Sequence, residues 1–226
     1  MFVITSSHTT RIARGEPAFT LIEMVAVIAI LVTLMTAGVS LLNGTGVQSR
    51  KAGMDMLTAM IEQGRTTAIT SRSKVLLAIV EPGDLPSGDE RCRLGLFKLD
   101  EATEIVPDPP ELKGVLLNRW QSFNTGLVML GDDDGKGVAG LVNPMSSKQT
   151  TITYGGTKNL KVQVHYIAFN SRGGLIYPTG SSVLLRLAEG NYRGGKATAN
   201  KHKDEKITEN RLKIGRVTAR PYRIDG

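Results

Sequence analysis

From Phe19 to Leu42 the chain is apolar or small at every position except Glu23, and Asn43 closes the run. A helix of about 24 such residues is long enough to cross a hydrocarbon core. Beyond Asn43-Gly44-Thr45-Gly46, apolar residues return at Val47, Met54, Leu57, Met60, Ile61 and Ile69, which is helical spacing. Arg50, Lys51, Asp55, Glu62, Gln63, Arg65 and Arg72 fill much of the remaining surface. The pattern predicts one long helix from about Thr20 to Ser71, with a soft joint near Gly44 because glycine is a poor helix former.

From Val75 the texture changes to short apolar or alternating runs separated by turn residues, the mark of antiparallel strands. Strands are expected at Val75 to Val80, Leu94 to Leu99, Gly126 to Leu130, Leu160 to Phe169, Ser182 to Leu187 and Arg211 to Val217. The alternation Lys161-Val162-Gln163-Val164-His165-Tyr166-Ile167 suits a sheet covered on one face. Residues 81–90 and 100–113, rich in Pro, Asp and Gly, read as loops. Residues 194–210, almost without apolar side chains, read as a mobile excursion. The expected fold is therefore α+β, a long N-terminal helix with a membrane-spanning first half, packed on a C-terminal antiparallel β-sheet head. Its divisions are a leader (1–18), a transmembrane helix (19–42), an amphipathic continuation (43–73) and a β-rich head (74–226) with a mobile loop at about 190–210.

At 226 residues the chain suits one moderate domain with a real core and an appendage. Its single cysteine, Cys92, excludes an intramolecular disulfide and a cysteine framework for zinc. There are 28 Lys and Arg against 21 Asp and Glu, and the excess gathers after Arg186. Such a tail is a solvated face or a contact for nucleic acid, anionic lipid or an acidic neighbour.

Arg11 and Arg14 in the leader predict a cytoplasmic N-terminus and an exported head. A secretory signal would place its small residues after the apolar stretch, whereas Pro17 and Ala18 precede it. A carboxylate at the membrane end of an anchor is costly and marks function.

The run Ala18-Phe19-Thr20-Leu21-Ile22-Glu23, followed by the apolar helix from Met24 to Leu42, resembles the type IV prepilin cleavage motif. Membership of the type IV pilin and type II secretion pseudopilin family implies cleavage between Ala18 and Phe19 by a prepilin peptidase. It also implies N-methylation of Phe19 and an assembly role for Glu23. Ala18 stands where the family usually has Gly. A carboxylate in the first helical turn is favoured by the helix dipole, and in a filament it pairs with the amino group of a neighbour's Phe19. Ile167 to Gly174, Val183 to Leu187 and Arg211 to Val217 resemble the C-terminal half of H-type minor pseudopilins. The leader and loops are also similar to the pilin-like proteins of the Verru_Chthon cassettes.

The function implied is structural rather than enzymatic: a minor pilin or pseudopilin subunit of a type IV pilus or type II secretion pseudopilus, with no cofactor. Its expected partners are the prepilin peptidase, other pilin subunits and an inner-membrane assembly platform. Its expected location is the bacterial inner membrane as a single-pass protein with a periplasmic head, then the filament. One alternative is a DNA-binding minor pilin using Lys213, Arg216, Arg220 and Arg223; another is a signal-anchored exported domain.

Three other patterns carry less. Gly190 to Lys196 has P-loop spacing but Ala197 replaces the magnesium-binding hydroxyl, and the polar segment after it is a poor helix. Asp132 and Asp134 make a weak calcium candidate opposed by Lys136. Cys92 lies between Arg91 and Arg93, which would lower its pKa, yet no paired histidine is evident. His165 reads as a strand side chain rather than a ligand.

Overall fold

The computed structural model describes residues 21–84, 91–101, 103, 105, 111–132, 137–155, 159–201 and 207–224, with the side chains of 33–45 outside that description. The chain divides into two compact units, Met1–Gly44 and Thr45–Gly226. Helix α1 spans Leu21–Thr70. Its hydrogen bonding continues through Asn43–Gly46, where the sequence predicts a soft joint. It ends where Arg72 turns left-handed at φ 50° and the Ser73 N–H donates to the Ala68 carbonyl at 3.2 Å. This is a Schellman-type stop with arginine in glycine's usual place.

In the first unit the described side chains run from Leu21 to Val32, and all are exposed. Among the described residues no helix is long and apolar enough to cross a membrane. The predicted span of 19–42 is thus not supported there, and its remaining side chains lie outside the described set.

The second unit begins with the rest of α1. Gly46, Gly53 and Gly64 lie about two and three turns apart, on one stripe. A Cβ at Gly53 would come within 2.8 Å of Leu187 and 2.9 Å of Leu127. One at Gly64 would come within 2.9 Å of Leu96 and 3.0 Å of Phe169. Along the same stripe Met54, Leu57, Met60, Ile61 and Ala68 are buried. The missing side chains let the strands approach the helix axis closely.

Thirteen strands follow among the described residues. Strands β1 (Val75–Val80), β2 (Arg93–Leu99), β3 (Glu111–Leu116), β7 (Thr150–Tyr154) and β8 (Leu160–Phe169) close into a ring. β1 pairs β2 on one edge and β8 on the other, β2 pairs β3, and β7 pairs β8, all antiparallel. The ring is completed by a parallel pairing of β3 with β7, Glu111↔Thr151 to Lys113↔Thr153. Short strands β4 (Gln121–Ser122) and β9 (Leu175–Tyr177) attach to β2 and β8. One cluster, Leu76, Ala78, Val80, Phe97, Leu99, Leu112, Ile152, Val162, Val164, Tyr166 and Ala168, comes from the alternate positions that face into the ring.

The second sheet is built on β10 (Ser182–Arg193). It pairs with β5 (Leu127–Leu130), β6 (Leu141–Val142), β11 (Lys196–Ala199) and β12 (Glu209–Ile214), and β13 (Pro221–Ile224) pairs with β12. Val75, Leu77 and Ile79 of β1, Leu94, Leu96, Ile167 and Phe169 join the helix stripe in a second cluster. Leu127, Met129, Val183, Leu185, Leu187, Leu212 and Ile214 supply its other side.

The architecture is α+β, but the antiparallel head expected from sequence needs correction. Two sheets are present, one is closed, and β3–β7 and β6–β10 are parallel. The loop read at 100–113 runs into β3, whose alternation Glu111-Leu112-Lys113 follows two prolines. The mobile loop read at 190–210 is a paired hairpin over Gly190–Arg193 and Lys196–Ala199, with Lys201 bridged to Ile207. Main-chain pairing there does not need apolar side chains; residues 202–206 lie outside the described set. The last predicted strand, Arg211 to Val217, shifts to Glu209–Ile214 because the chain turns after Gly215 and returns as β13.

A large side chain on the helix stripe should be costly. Gly64→Leu is expected to lower stability by about 1–3 kcal/mol through overpacking against Leu96 and Phe169, read as a shifted urea midpoint with an unchanged slope.

Candidate functional site

Ala18 and Phe19 lie outside the described residues, and Glu23 occupies the first turn of α1. There its carboxylate meets the positive end of the helix dipole. Around it Leu21, Ile22, Met24, Val25, Val27, Ile28, Ile30, Leu31 and Val32 are 49–84% exposed. A contiguous apolar surface of that kind marks a face made for lipid or other protein. Glu23 is the only charge from Leu21 to Val32.

The four basic residues read as a nucleic-acid contact are not brought together. Register places Leu212 opposite Arg223 and Lys213 opposite Tyr222. Cross-strand partners share a face, so Lys213 and Arg223 fall on opposite faces of the β12–β13 hairpin. Arg223 donates to Asp55 on α1. Arg216 and Arg220 are exposed in the turn, where Arg216 Nη1 reaches the Pro178 carbonyl at 3.4 Å.

Other cations of the basic segment are tied inward. Arg186 is fully buried, donating from Nε and Nη2 to Glu209 Oε2 at 3.0 and 2.7 Å and from Nη1 to the Gly131 carbonyl at 2.7 Å. Arg211 Nε donates to Glu209 Oε1 at 2.6 Å. Arg186 Nη1 also stands 3.8 Å from Asp132 Oδ1, which accepts from Asn143 Nδ2 at 3.1 Å. Asp132 is thus faced by a guanidinium, the reverse of what a calcium site needs. Asp134 lies outside the described residues, among which no metal-holding group of His, Cys, Asp and Glu occurs.

The glycine-rich run Gly190 to Lys196 is the end of β10, a turn at Gly194 and Gly195 with φ of 56° and 78°, and the start of β11. A P-loop needs a helix N-terminus after its glycines, and here a strand follows. Cys92 corrects a sequence expectation: burial, not its arginine neighbours, governs the thiol and pushes it from the ordinary 9.0 up to about 12, partly offset by a hydrogen bond with Tyr192. Burial likewise holds the Tyr192 hydroxyl well above its ordinary value, while that oxygen accepts from the Met129 N–H at 3.1 Å. His165 is a buried strand side chain with Nε2 3.9 Å from Glu81 Oε2. Beside it, Gln149 Nε2 donates to Asp84 Oδ2 at 3.0 Å, and burial raises the Asp84 carboxyl.

One tie was not foreseen from sequence. Arg50 Nη1 donates to Glu189 Oε1 at 2.5 Å, and Gly46, one turn earlier on α1, leaves room for that carboxylate. The usable signal was a glycine four residues before an arginine on the helix stripe.

No protein-family model matches this chain, and neither does a curated protein. Among solved structures the chain is similar to the type IV minor pilin FimU of Pseudomonas aeruginosa strain PAO1. The match has 14% identity and a TM-score of 0.39, and it covers 79% of this chain and 90% of that one.

Two measurements check these assignments. Glu209→Gln removes the carboxylate that takes two hydrogen bonds from the buried Arg186 guanidinium and should cost about 3–5 kcal/mol in denaturant unfolding. For Cys92, the unfolded thiol ionises above about pH 9 while the folded one stays protonated to about 12. Its contribution is therefore full below pH 9 and declines as pH rises, by at most about 1.4 kcal/mol per pH unit. Iodoacetamide at pH 8 should leave the folded thiol unlabelled and label it in guanidinium, and Cys92→Ala should make stability fall less steeply above pH 9.

Proposed function

We propose that this chain is a structural subunit of the type IV pilin class, processed before Phe19 and assembled through the N-terminal part of α1. The observation that carries the reading is that the only charged residue from Leu21 to Val32, Glu23, stands in the first turn of a helix whose next residues are apolar and exposed. It follows directly on the Ala18–Phe19 motif. An apolar helical surface with one charge at its start suits lateral packing of helices, where a buried carboxylate needs a cation from a neighbour. A newly freed Phe19 amino group supplies that cation. The β-rich unit from Thr45 onward then serves as the head that the filament displays.

On this reading the partners are a prepilin peptidase, other pilin or pseudopilin subunits and an inner-membrane assembly platform. The chain waits in the bacterial inner membrane with its N-terminus cytoplasmic and its head periplasmic. Methylation at Phe19 and assembly into a pilus or pseudopilus follow cleavage.

The decisive measurement is the mass of the N-terminal peptide of protein taken from membranes of cells containing a prepilin peptidase. A peptide beginning at methylated Phe19 is the expected result; a leader still beginning at Met1 overturns the processing step. In the same cells Glu23→Leu should leave the membrane-bound amount unchanged and remove the protein from sheared filaments.

A further inference from the structure

We propose that the turn between β12 and β13 is a docking point for an anionic lipid surface, with Val217 entering the headgroup layer and Arg172, Arg216 and Arg220 meeting its phosphates. The proposal does not draw on the reading above. Val217 is 86% exposed, more than any other large apolar side chain among the described residues. One exposed valine is ordinary in itself. This one is held out by a fixed turn and surrounded by charge of one sign.

The turn is fastened from within the unit at alternate carbonyls. The Leu175 N–H donates to the Arg216 carbonyl at 2.9 Å, Arg65 Nε to that of Thr218 at 2.7 Å, and the Gly215 N–H to that of Arg220 at 3.1 Å. Ala219, left-handed at φ 48°, is fully buried beneath it. Gly173 and Gly174 form the seat: a Cβ on the first would come within 2.7 Å of Ile69, and one on the second within 2.8 Å of the Val217 carbonyl. The main chain of the turn thus packs inward, and the Val217 side chain is left in water.

Arg216 and Arg220 flank Val217 in the turn, and Arg172 adjoins the glycine seat. All three are exposed, and none makes an ion pair among the described residues. The carboxylates on neighbouring elements are already engaged. Glu62 stands 3.4 Å from Arg65, Asp55 bonds Arg223, and Asp100 and Glu101 share a cavity with Arg72 and Lys74. The local charge is therefore positive.

Three cations alone make a modest field, so the apolar residue among them decides the partner. A nucleic-acid contact sets its cations along a phosphate track and offers aromatic faces to the bases. An aliphatic side chain in the midst of the arginines adds nothing to that. At an anionic bilayer every part is used: the aliphatic group goes below the headgroups and the guanidinium groups stay at phosphate level. Tyr222, half exposed, lies against the base of the turn, 3.7 Å from where a Cβ on Gly215 would stand. A phenol ring suits the depth between apolar and wet layers.

The test uses the full chain reconstituted in phosphatidylcholine nanodiscs and mixed with vesicles. The discs should float with vesicles containing about one third phosphatidylglycerol and not with pure phosphatidylcholine vesicles. Val217→Ser should weaken this association about fivefold or more. The double variant Arg172→Glu/Arg220→Glu should weaken it at least about tenfold. Both variants change exposed side chains only and should keep the unfolding midpoint. Failure to float with either vesicle overturns the proposal, as does equal flotation with both. Flotation unchanged by Val217→Ser would leave only charge at work and overturn it. So would a duplex DNA oligonucleotide that displaces the vesicles and binds the Val217→Ser variant as well as the parent.

Discussion

Strand β1 has no free side. Its edges are taken by β2 and β8, and both its faces are buried, so that all six residues from Val75 to Val80 are excluded from water. Val75, Leu77 and Ile79 face the helix and the second sheet, while Leu76, Ala78 and Val80 face the interior of the ring. The two cores of the β-rich unit therefore meet across β1, and its neighbours β2 and β8 divide their side chains between them in the same way. A one-residue slip of β1 would exchange the side chains of both cores at once, which makes its register strongly specified.

The seat of the second unit on its own part of α1 follows from the same packing. The face of the ring that carries Leu96 and Phe169 reaches the helix at Gly64, and β10 reaches it at Gly53 through Leu187 and at Gly46 through Glu189. Glycine within a helix costs up to about 1 kcal/mol relative to alanine. Three such positions on one stripe are offset by the close packing they permit. Glu189 then closes the row with Arg50, whose guanidinium is almost buried and needs that carboxylate.

Much of this was legible in the sequence where periodicity was strong. The run Val75 to Val80 and the alternation from Leu160 to Phe169 correspond residue for residue to β1 and β8, and the helical pattern ends within one residue of Thr70. What was missed is made of strands whose pattern is weak. Thr150 to Tyr154 offers only five residues, Lys196 to Ala199 is polar and small, and β13 starts at a proline on an edge. Ring closure was hidden for a different reason. A parallel pairing of β3 with β7 joins segments separated by β4, β5 and β6, and no local signal encodes it.

Charge shows the same division between local and long-range information. Composition presents the C-terminal segment as a basic tail, and a tail would offer its cations to whatever is acidic nearby. Pairing decides otherwise for several of them. The buried guanidinium of Arg186 is shared between Glu209 and a main-chain carbonyl, Arg211 bonds the other oxygen of the same carboxylate, and Arg223 crosses to Asp55 on the helix. All but the Arg211–Glu209 bond, which lies within β12, need a partner distant in sequence, so a count of lysines and arginines overstates the free charge. With Arg223 turned to Asp55, Lys213, Arg216 and Arg220 are left on the β12–β13 hairpin and its turn, a weaker phosphate-attracting field than one clustered stripe of cations would generate. By contrast the N-terminal helical segment from Leu21 to Val32 concentrates its apolar surface around one charge, Glu23. It is there, and not in the basic tail, that sequence and geometry make a single demand on a partner.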